Sequence, residues 1–217
     1  MKSKINLLLI VIGLFVTVSA FTQKDAKAKE LLDKTSAVLN QSGGLSANFT
    51  ININNDANQI KQSFEGQLFL KENKFFFDTP EQAAYFDGKT QWVYNKNMEE
   101  VSILEPQPQD VQTLNPASVL SLYKKDCNYK YKGEKTDIKK RKVKEISLYP
   151  KNKDDITQID IQINPADSMP VYFRIVYKNN MEFRIYINKY RTNLNLPDSQ
   201  FVFDTKKYPN AEVNDLR

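Results

Sequence analysis

The sequence contains no histidine and a single cysteine, Cys127. Without histidine there is no Ser-His-Asp triad, no Cys-His pair and no imidazole ligand for a metal ion. One cysteine cannot close an internal disulfide, so the fold must hold by packing and hydrogen bonding. Cys127 itself reads as a small strand residue. Glycine is scarce: there are six, adjacent only at Gly43-Gly44, and none forms a phosphate cradle or a dinucleotide fingerprint. The carboxylate neighbours Glu99-Glu100 and Asp154-Asp155 fall in strand-like stretches, where adjacent side chains face opposite ways, so they read as solvated surface. No cofactor or metal is implied, and the chain is expected not to be an enzyme.

A strong charge of one sign is also lacking. The net charge is +5, and setting aside Lys2 and Lys4 leaves 29 basic against 26 acidic residues. Nucleic-acid binding needs basic residues concentrated on one face, and it is not expected here. The one dense stretch is Lys135, Lys139, Lys140, Arg141, Lys142 and Lys144, between strand-like segments. Its simplest reading is a solvated hairpin turn. The other is a docking patch for anionic lipid headgroups or an acidic partner.

Long hydrophobic runs are absent after the first twenty residues. Lys2 and Lys4 precede an apolar run from Ile5 to Val18, and Val18-Ser19-Ala20 supplies a small-residue cleavage site. This is the pattern of a secretory signal peptide over residues 1–20, and the run is short for a membrane span. No cysteine follows it, so the mature chain is expected to be exported without a lipid anchor. Residues 21–217 are expected to form one domain.

What is present is periodic. Ala28, Leu31, Leu32, Thr35, Val38 and Leu39 recur at helical spacing, which predicts a helix over 24–42 ended by Gly43-Gly44. From Leu45 the period becomes two. Leu45, Ala47, Phe49, Ile51 and Ile53 alternate with polar residues, as do Phe64, Leu68 and Leu70, then Ile159, Ile161 and Ile163. Val171, Phe173, Ile175 and Tyr177, and then Phe183, Ile185 and Ile187, repeat the pattern. Asn54-Asn55-Asp56, Asp87-Gly88, Pro165-Ala166-Asp167 and Asn179-Asn180 supply the turns of an antiparallel meander. Pro106 and Pro108 interrupt it, and Asn115-Pro116 then starts a short helix that is apolar nearly all round: Pro116, Val119, Leu120, Leu122 and Tyr123. That helix reads either as a plug completing the core or as a lid that moves aside from a ligand cavity. With 13 Phe, 11 Tyr and one Trp, the sheet carries a large aromatic inventory. Plain core filling and an apolar ligand site both account for it.

The order of four segments resembles the outer-membrane lipoprotein carrier family, the LolA-type periplasmic chaperones. They are Phe49 to Phe77 with Gly66-Gln67-Leu68-Phe69-Leu70-Lys71; Asp87-Gly88-Lys89-Thr90-Gln91-Trp92-Val93-Tyr94; Asn115-Pro116-Ala117-Ser118-Val119-Leu120; and Phe201-Val202-Phe203 with Val213-Asn214-Asp215-Leu216-Arg217. The resemblance implies a mainly β protein: an incomplete, curved antiparallel barrel with an N-terminal helix and a short lid helix over its mouth. It implies a monomeric periplasmic carrier that takes acylated lipoproteins from an inner-membrane lipoprotein-releasing transporter and hands them to an outer-membrane acceptor. On that reading Phe49, Phe64, Leu68, Leu70, Phe77, Trp92, Ile161, Phe173, Ile175 and Phe183 face an acyl cavity. Lys71-Glu72-Asn73-Lys74 stands where the family has a latching arginine, which leaves Lys71 or Glu72 as the latch. A carrier or sensor of another lipid on the same fold is the alternative.

Overall fold

The computed structural model describes residues 25–41, 43–55, 57–105, 123–124, 127–151 and 155–217. Residues 1–24 and 106–122 lie outside this set. So do the expected signal peptide and the lid residues Pro116, Val119, Leu120 and Leu122.

Asp25 begins the helix α1 (Ala26–Gln41): its Oδ1 accepts the Ala28 N–H at 3.0 Å, the bond of an N-cap carboxylate. Its Oδ2 accepts the Tyr131 N–H at 2.9 Å, which ties the helix start to a distant strand. Ala28, Leu31, Leu32 and Thr35 are the buried stripe of α1. Lys29–Asp33 and Glu30–Lys34 pair on its exposed side. The helix ends at Gln41, one residue inside the expected limit. Gly43 turns the chain at φ 71°. A Cβ on Gly44 would lie 2.2 Å from the Leu194 carbonyl oxygen, so only glycine admits that crossing.

Twelve strands follow: β1 (Leu45–Asn55), β2 (Ile60–Lys71), β3 (Lys74–Asp78), β4 (Gln82–Phe86), β5 (Gln91–Asn95), β6 (Glu100–Leu104), β7 (Cys127–Thr136), β8 (Lys142–Pro150), β9 (Ile156–Ile163), β10 (Pro170–Tyr177), β11 (Glu182–Arg191) and β12 (Glu212–Asp215). They form one sheet in the order β12-β6-β5-β4-β3-β2-β1-β11-β10-β9-β8-β7. Two meanders, β2 to β6 and β7 to β11, therefore meet on β1, which pairs with β2 on one side and β11 on the other. The sheet departs from a single meander at that seam and again where β12 pairs with β6 in parallel. The first hairpin also turns later than expected: β1 continues through Asn55 and the turn is at 57–59. There Asn55 Oδ1 accepts the Asn58 N–H and its Nδ2 donates to the Asn179 carbonyl. The side chain that suggested a turn instead joins two turns at the same end of the sheet.

The sheet is apolar on two faces over part of its width. The inner face of β1, β2 and β8 to β11 packs against α1 in one cluster. On β3 to β6 the opposite face is covered by the C-terminal segment, where Phe203 and Tyr208 pack on Ala83, Tyr85, Tyr94 and Val101. Tyr94 and Tyr208 have ring centroids 4.5 Å apart, and Phe203 stacks on Tyr208 at 5.0 Å. Cys127 is a buried β7 residue whose thiol is pushed up to about 11 by burial, and so it stays an inert thiol at neutral pH.

Candidate functional site: the inner apolar face

On β1, β2 and β9 to β11 the inner face passes from buried to partly exposed side chains toward the end where β1 finishes, whereas β4 and β7 run the other way, from buried Ala84 and Cys127 to partly exposed Phe86 and Tyr131. At the end where β1 begins, Leu45, Leu70 and Ile163 are buried, as is Ile187 opposite Phe49. At mid-strand, Phe49, Ile51, Leu68, Ile161, Phe173, Ile175 and Ile185 are also buried. Toward the far end, Ile53, Ile156, Tyr177 and Phe183 are partly exposed although they pack on the same cluster, as is Phe64 opposite Ile51. The far end of the face therefore presents aromatic and branched side chains that the described residues leave half covered. Phe183 and Tyr177 are in register with neighbouring strands here, and their rings lie 5.4 Å apart.

A cavity of about 380 Å³ opens at this end, lined by Asp155, Tyr177, Lys178, Asn179, Met181 and Phe183. It lies within the range of about 300–1,000 Å³ typical of small-ligand pockets. Its apolar wall is continuous with the inner face, and its rim carries one acid, one base and one amide. Burial pushes the Tyr177 hydroxyl up, with the Asp155 charge adding to the effect, so it remains a neutral phenol. This chemistry suits an elongated apolar group with a polar head.

Nine of the ten expected cavity residues share this face. Phe49, Leu68, Leu70, Ile161, Phe173 and Ile175 are buried members of its cluster, and Phe64, Phe77 and Phe183 pack against them half-buried. Phe49 stacks on Phe77 at 5.3 Å with the rings 10° from parallel. The Phe49 ring also crosses Gly66, where a Cβ would come within 2.4 Å of it. Trp92 is separated from the nine. It belongs to the second cluster with Phe76, Tyr85 and Phe203, on the opposite face of β5. The reason is register: Trp92 pairs with Tyr85, and Tyr85 with Phe76, so all three face the C-terminal segment, while Phe75 and Phe77 face inward.

The partners that Lys71 and Glu72 would latch lie, Tyr123 apart, outside the described residues. The Lys71 ammonium donates to the Leu196 carbonyl at 2.9 Å and pairs with Asp198 at 3.1 Å, and Lys74 joins the same carboxylate at 3.0 Å. Both lysines therefore fasten the C-terminal segment. Glu72 is an exposed turn residue at φ 54°. Tyr123, the described member of the expected lid, is buried. Its hydroxyl donates to Asp33 on α1 at 2.6 Å, and its ring meets Tyr129 edge-on. Local pattern could not signal this bond between Asp33 and Tyr123, because Asp33 lies on the charged side of the helix.

The outer face carries a polar network that sequence reading also missed. Asp160 accepts from Ser147 at 2.5 Å and pairs with Arg174 at 3.1 Å; Glu182 bridges Arg174 and Arg184. Arg174 and Arg184 are cross-strand neighbours, so Glu182 separates two like charges. Burial pushes the Glu182 carboxyl up, but the bonds from Arg174 and Arg184 outweigh it and hold it below its ordinary range.

Residues 18–158 match the family model described as outer membrane lipoprotein carrier protein LolA. No curated protein matches the sequence. Among solved structures, the fold is similar to that of an uncharacterized conserved protein from Thermus thermophilus, 12% identical, over 87% of this chain and 99% of that one, with a TM-score of 0.59. A LolA superfamily protein from Nitrosomonas europaea is 13% identical over 82% of this chain and 98% of that one, with a TM-score of 0.48. LprF from Mycobacterium bovis is 12% identical over 81% and 98%, with a TM-score of 0.47.

Proposed function

We infer a carrier's role from one premise: the chain belongs to the outer membrane lipoprotein carrier (LolA) family. In our reading it is a periplasmic protein, exported by a signal peptide that is then removed, and it holds the acyl chains of lipoproteins against the inner face of its sheet. The observation that carries this reading is the exposure gradient on the inner face of β1, β2 and β9 to β11, which ends in half-covered Tyr177 and Phe183 lining a cavity of about 380 Å³. Acyl chains gain about 0.8 kcal/mol for each CH₂ removed from water, and an open-ended apolar surface takes such chains without side-chain specificity. The lipoproteins would come from an inner-membrane lipoprotein-releasing transporter and pass to an outer-membrane acceptor. A carrier or sensor of another lipid would use the same surface.

The test is extraction and mass spectrometry of what copurifies with the protein from its native compartment. Diacylglyceryl-modified peptides support lipoprotein carriage. Free lipid alone supports the second role. A protein that copurifies with neither, and takes up no acylated peptide in vitro, removes the carrier reading.

A further inference from the structure

Residues 135–144 of the β7–β8 hairpin concentrate positive charge, of which only Lys144, near Glu30 of α1, is offset from outside the hairpin among the electrostatic effects of the described residues. From Lys135 to Lys144 there are six basic residues and one acid, Asp137. Asp137 is engaged inside the turn: its carboxylate accepts the N–H groups of Lys139 and Arg141 at 2.9 and 2.8 Å and pairs with the Arg141 guanidinium at 2.6 Å. These bonds neutralise Arg141 and fix the shape of the tip, where Lys140 adopts φ 60°. None of Lys135, Lys139, Lys140, Lys142 and Lys144 forms an ion pair among the described residues. Lys139 reaches only the neutral Asn188 side chain, at 3.4 Å. Across the hairpin, Glu134 stands opposite Lys144, away from the tip.

At the apex of this basic turn Ile138 is 72% exposed. Single exposed apolar residues are ordinary, but this one is held at the point of a lysine-rich loop whose shape the Asp137 bonds fix. A cavity of about 150 Å³ opens beside it, lined by Ile138, Lys139, Arg141, Tyr172 and Tyr186. We propose that the β7–β8 hairpin is a docking surface for an anionic phospholipid bilayer: Ile138 enters the acyl boundary, the lysines lie among the headgroups, and the cavity beside Lys139 admits one headgroup. Long lysine stems keep their ammonium groups at headgroup level while a neighbouring apolar residue goes deeper. An acidic protein would satisfy the lysines but gives no reason for an apolar apex. The hairpin projects from the strand ends opposite to the half-covered aromatic residues, since Lys144 pairs with Ile163. Docking thus turns the cavity at Phe183 away from the bilayer, and it is independent of what that cavity holds.

The test is cosedimentation of the whole chain with vesicles of phosphatidylglycerol and phosphatidylcholine, against vesicles of phosphatidylcholine alone, at low and high salt. Each lysine near an anionic surface contributes about fivefold to partitioning, so Lys139→Glu with Lys140→Glu should weaken binding at least about 25-fold. Ile138→Ser should weaken it further, and Ile138→Leu should restore it. A fluorophore on Ile138→Cys in a Cys127→Ala background should shift to the blue with anionic vesicles only. Thermal unfolding of the tip variants should match the parent, because all three positions are exposed. Equal binding to neutral vesicles, unchanged binding by the lysine pair variant, or binding of polyglutamate without vesicle binding would each overturn the proposal.

Discussion

Gly66→Ala tests whether the inner face is shaped by the approach of Phe49 to the β2 backbone. An added Cβ would lie 2.4 Å from the Phe49 ring and 2.5 Å from the Asp78 carbonyl oxygen, against an ordinary contact of 3.4–4 Å. The ring cannot swing aside freely, because it is 3% exposed and stacked on Phe77. The carbonyl belongs to β3, which is held in register between β2 and β4. Overpacking of this kind costs about 1–3 kcal/mol or somewhat more. Replacing glycine also stiffens the unfolded chain, which returns about 0.4–1 kcal/mol. Two close contacts, one of them to backbone, place the net loss near 2–3 kcal/mol. At about 2–4 °C per kcal/mol for a chain of this size, the melting midpoint should fall by about 4–12 °C. Urea unfolding should show a lower midpoint at constant slope. In a Phe49→Leu background the ring contact is gone while the Asp78 contact remains, so the same substitution should cost about 1 kcal/mol less. A Gly66→Ala protein as stable as the parent, or one that costs the same in both backgrounds, refutes this packing.

Other expectations follow from single contacts. Thr35 is fully buried with its hydroxyl unpartnered among the described residues, so Thr35→Val should raise the urea midpoint, by about 1 kcal/mol in stability. Glu182→Gln should leave Arg174 and Arg184 facing each other; with both arginines at least a third exposed, the cost should be about 1–2 kcal/mol and smaller in about 1 M salt. Asp25 and Glu182 both have lowered carboxyl pKa values, so their stabilisation is present above the ordinary carboxylate range near pH 4 and lost as pH falls through their folded values. An Asp25→Asn, Glu182→Gln protein should therefore show a flatter loss of stability between about pH 4 and pH 2 in acid titrations followed by circular dichroism. Trp92 faces the C-terminal segment, so its fluorescence should stay constant when an amphiphile fills the inner face and change in Tyr208→Ala.

The sequence pattern is most legible where one face of the sheet is polar. Ile159, Ile161 and Ile163 alternate with Asp160 and Gln162, and the structure places the three isoleucines inward and the acid in the outer ion network. Periodicity fails where both faces are covered. Phe75, Phe76 and Phe77 are consecutive, and Phe75 and Phe77 pack inward while Phe76 stacks on Tyr85 on the other side. An apolar run without alternation gives no sign of which residue faces which cluster, and for that reason Trp92, expected inward, lies on the opposite side. The Lys71 contacts are illegible for a different cause, since Leu196 and Asp198 lie 125 and 127 residues further along and local pattern carries no information about such pairs.

The position of β1 in the sheet bears on how the chain comes together in time. Its partner on one side is the next strand, but on the other it is β11, so Ser46 lies opposite Arg191. The seam between the two meanders cannot close until nearly the whole chain is present, and β6 likewise waits for Glu212 to Asp215. Large sequence separation between paired strands slows folding by orders of magnitude relative to local pairing. If the chain is exported, as the proposed function requires, such slowness would keep the unfinished sheet open until its last strand had crossed the membrane.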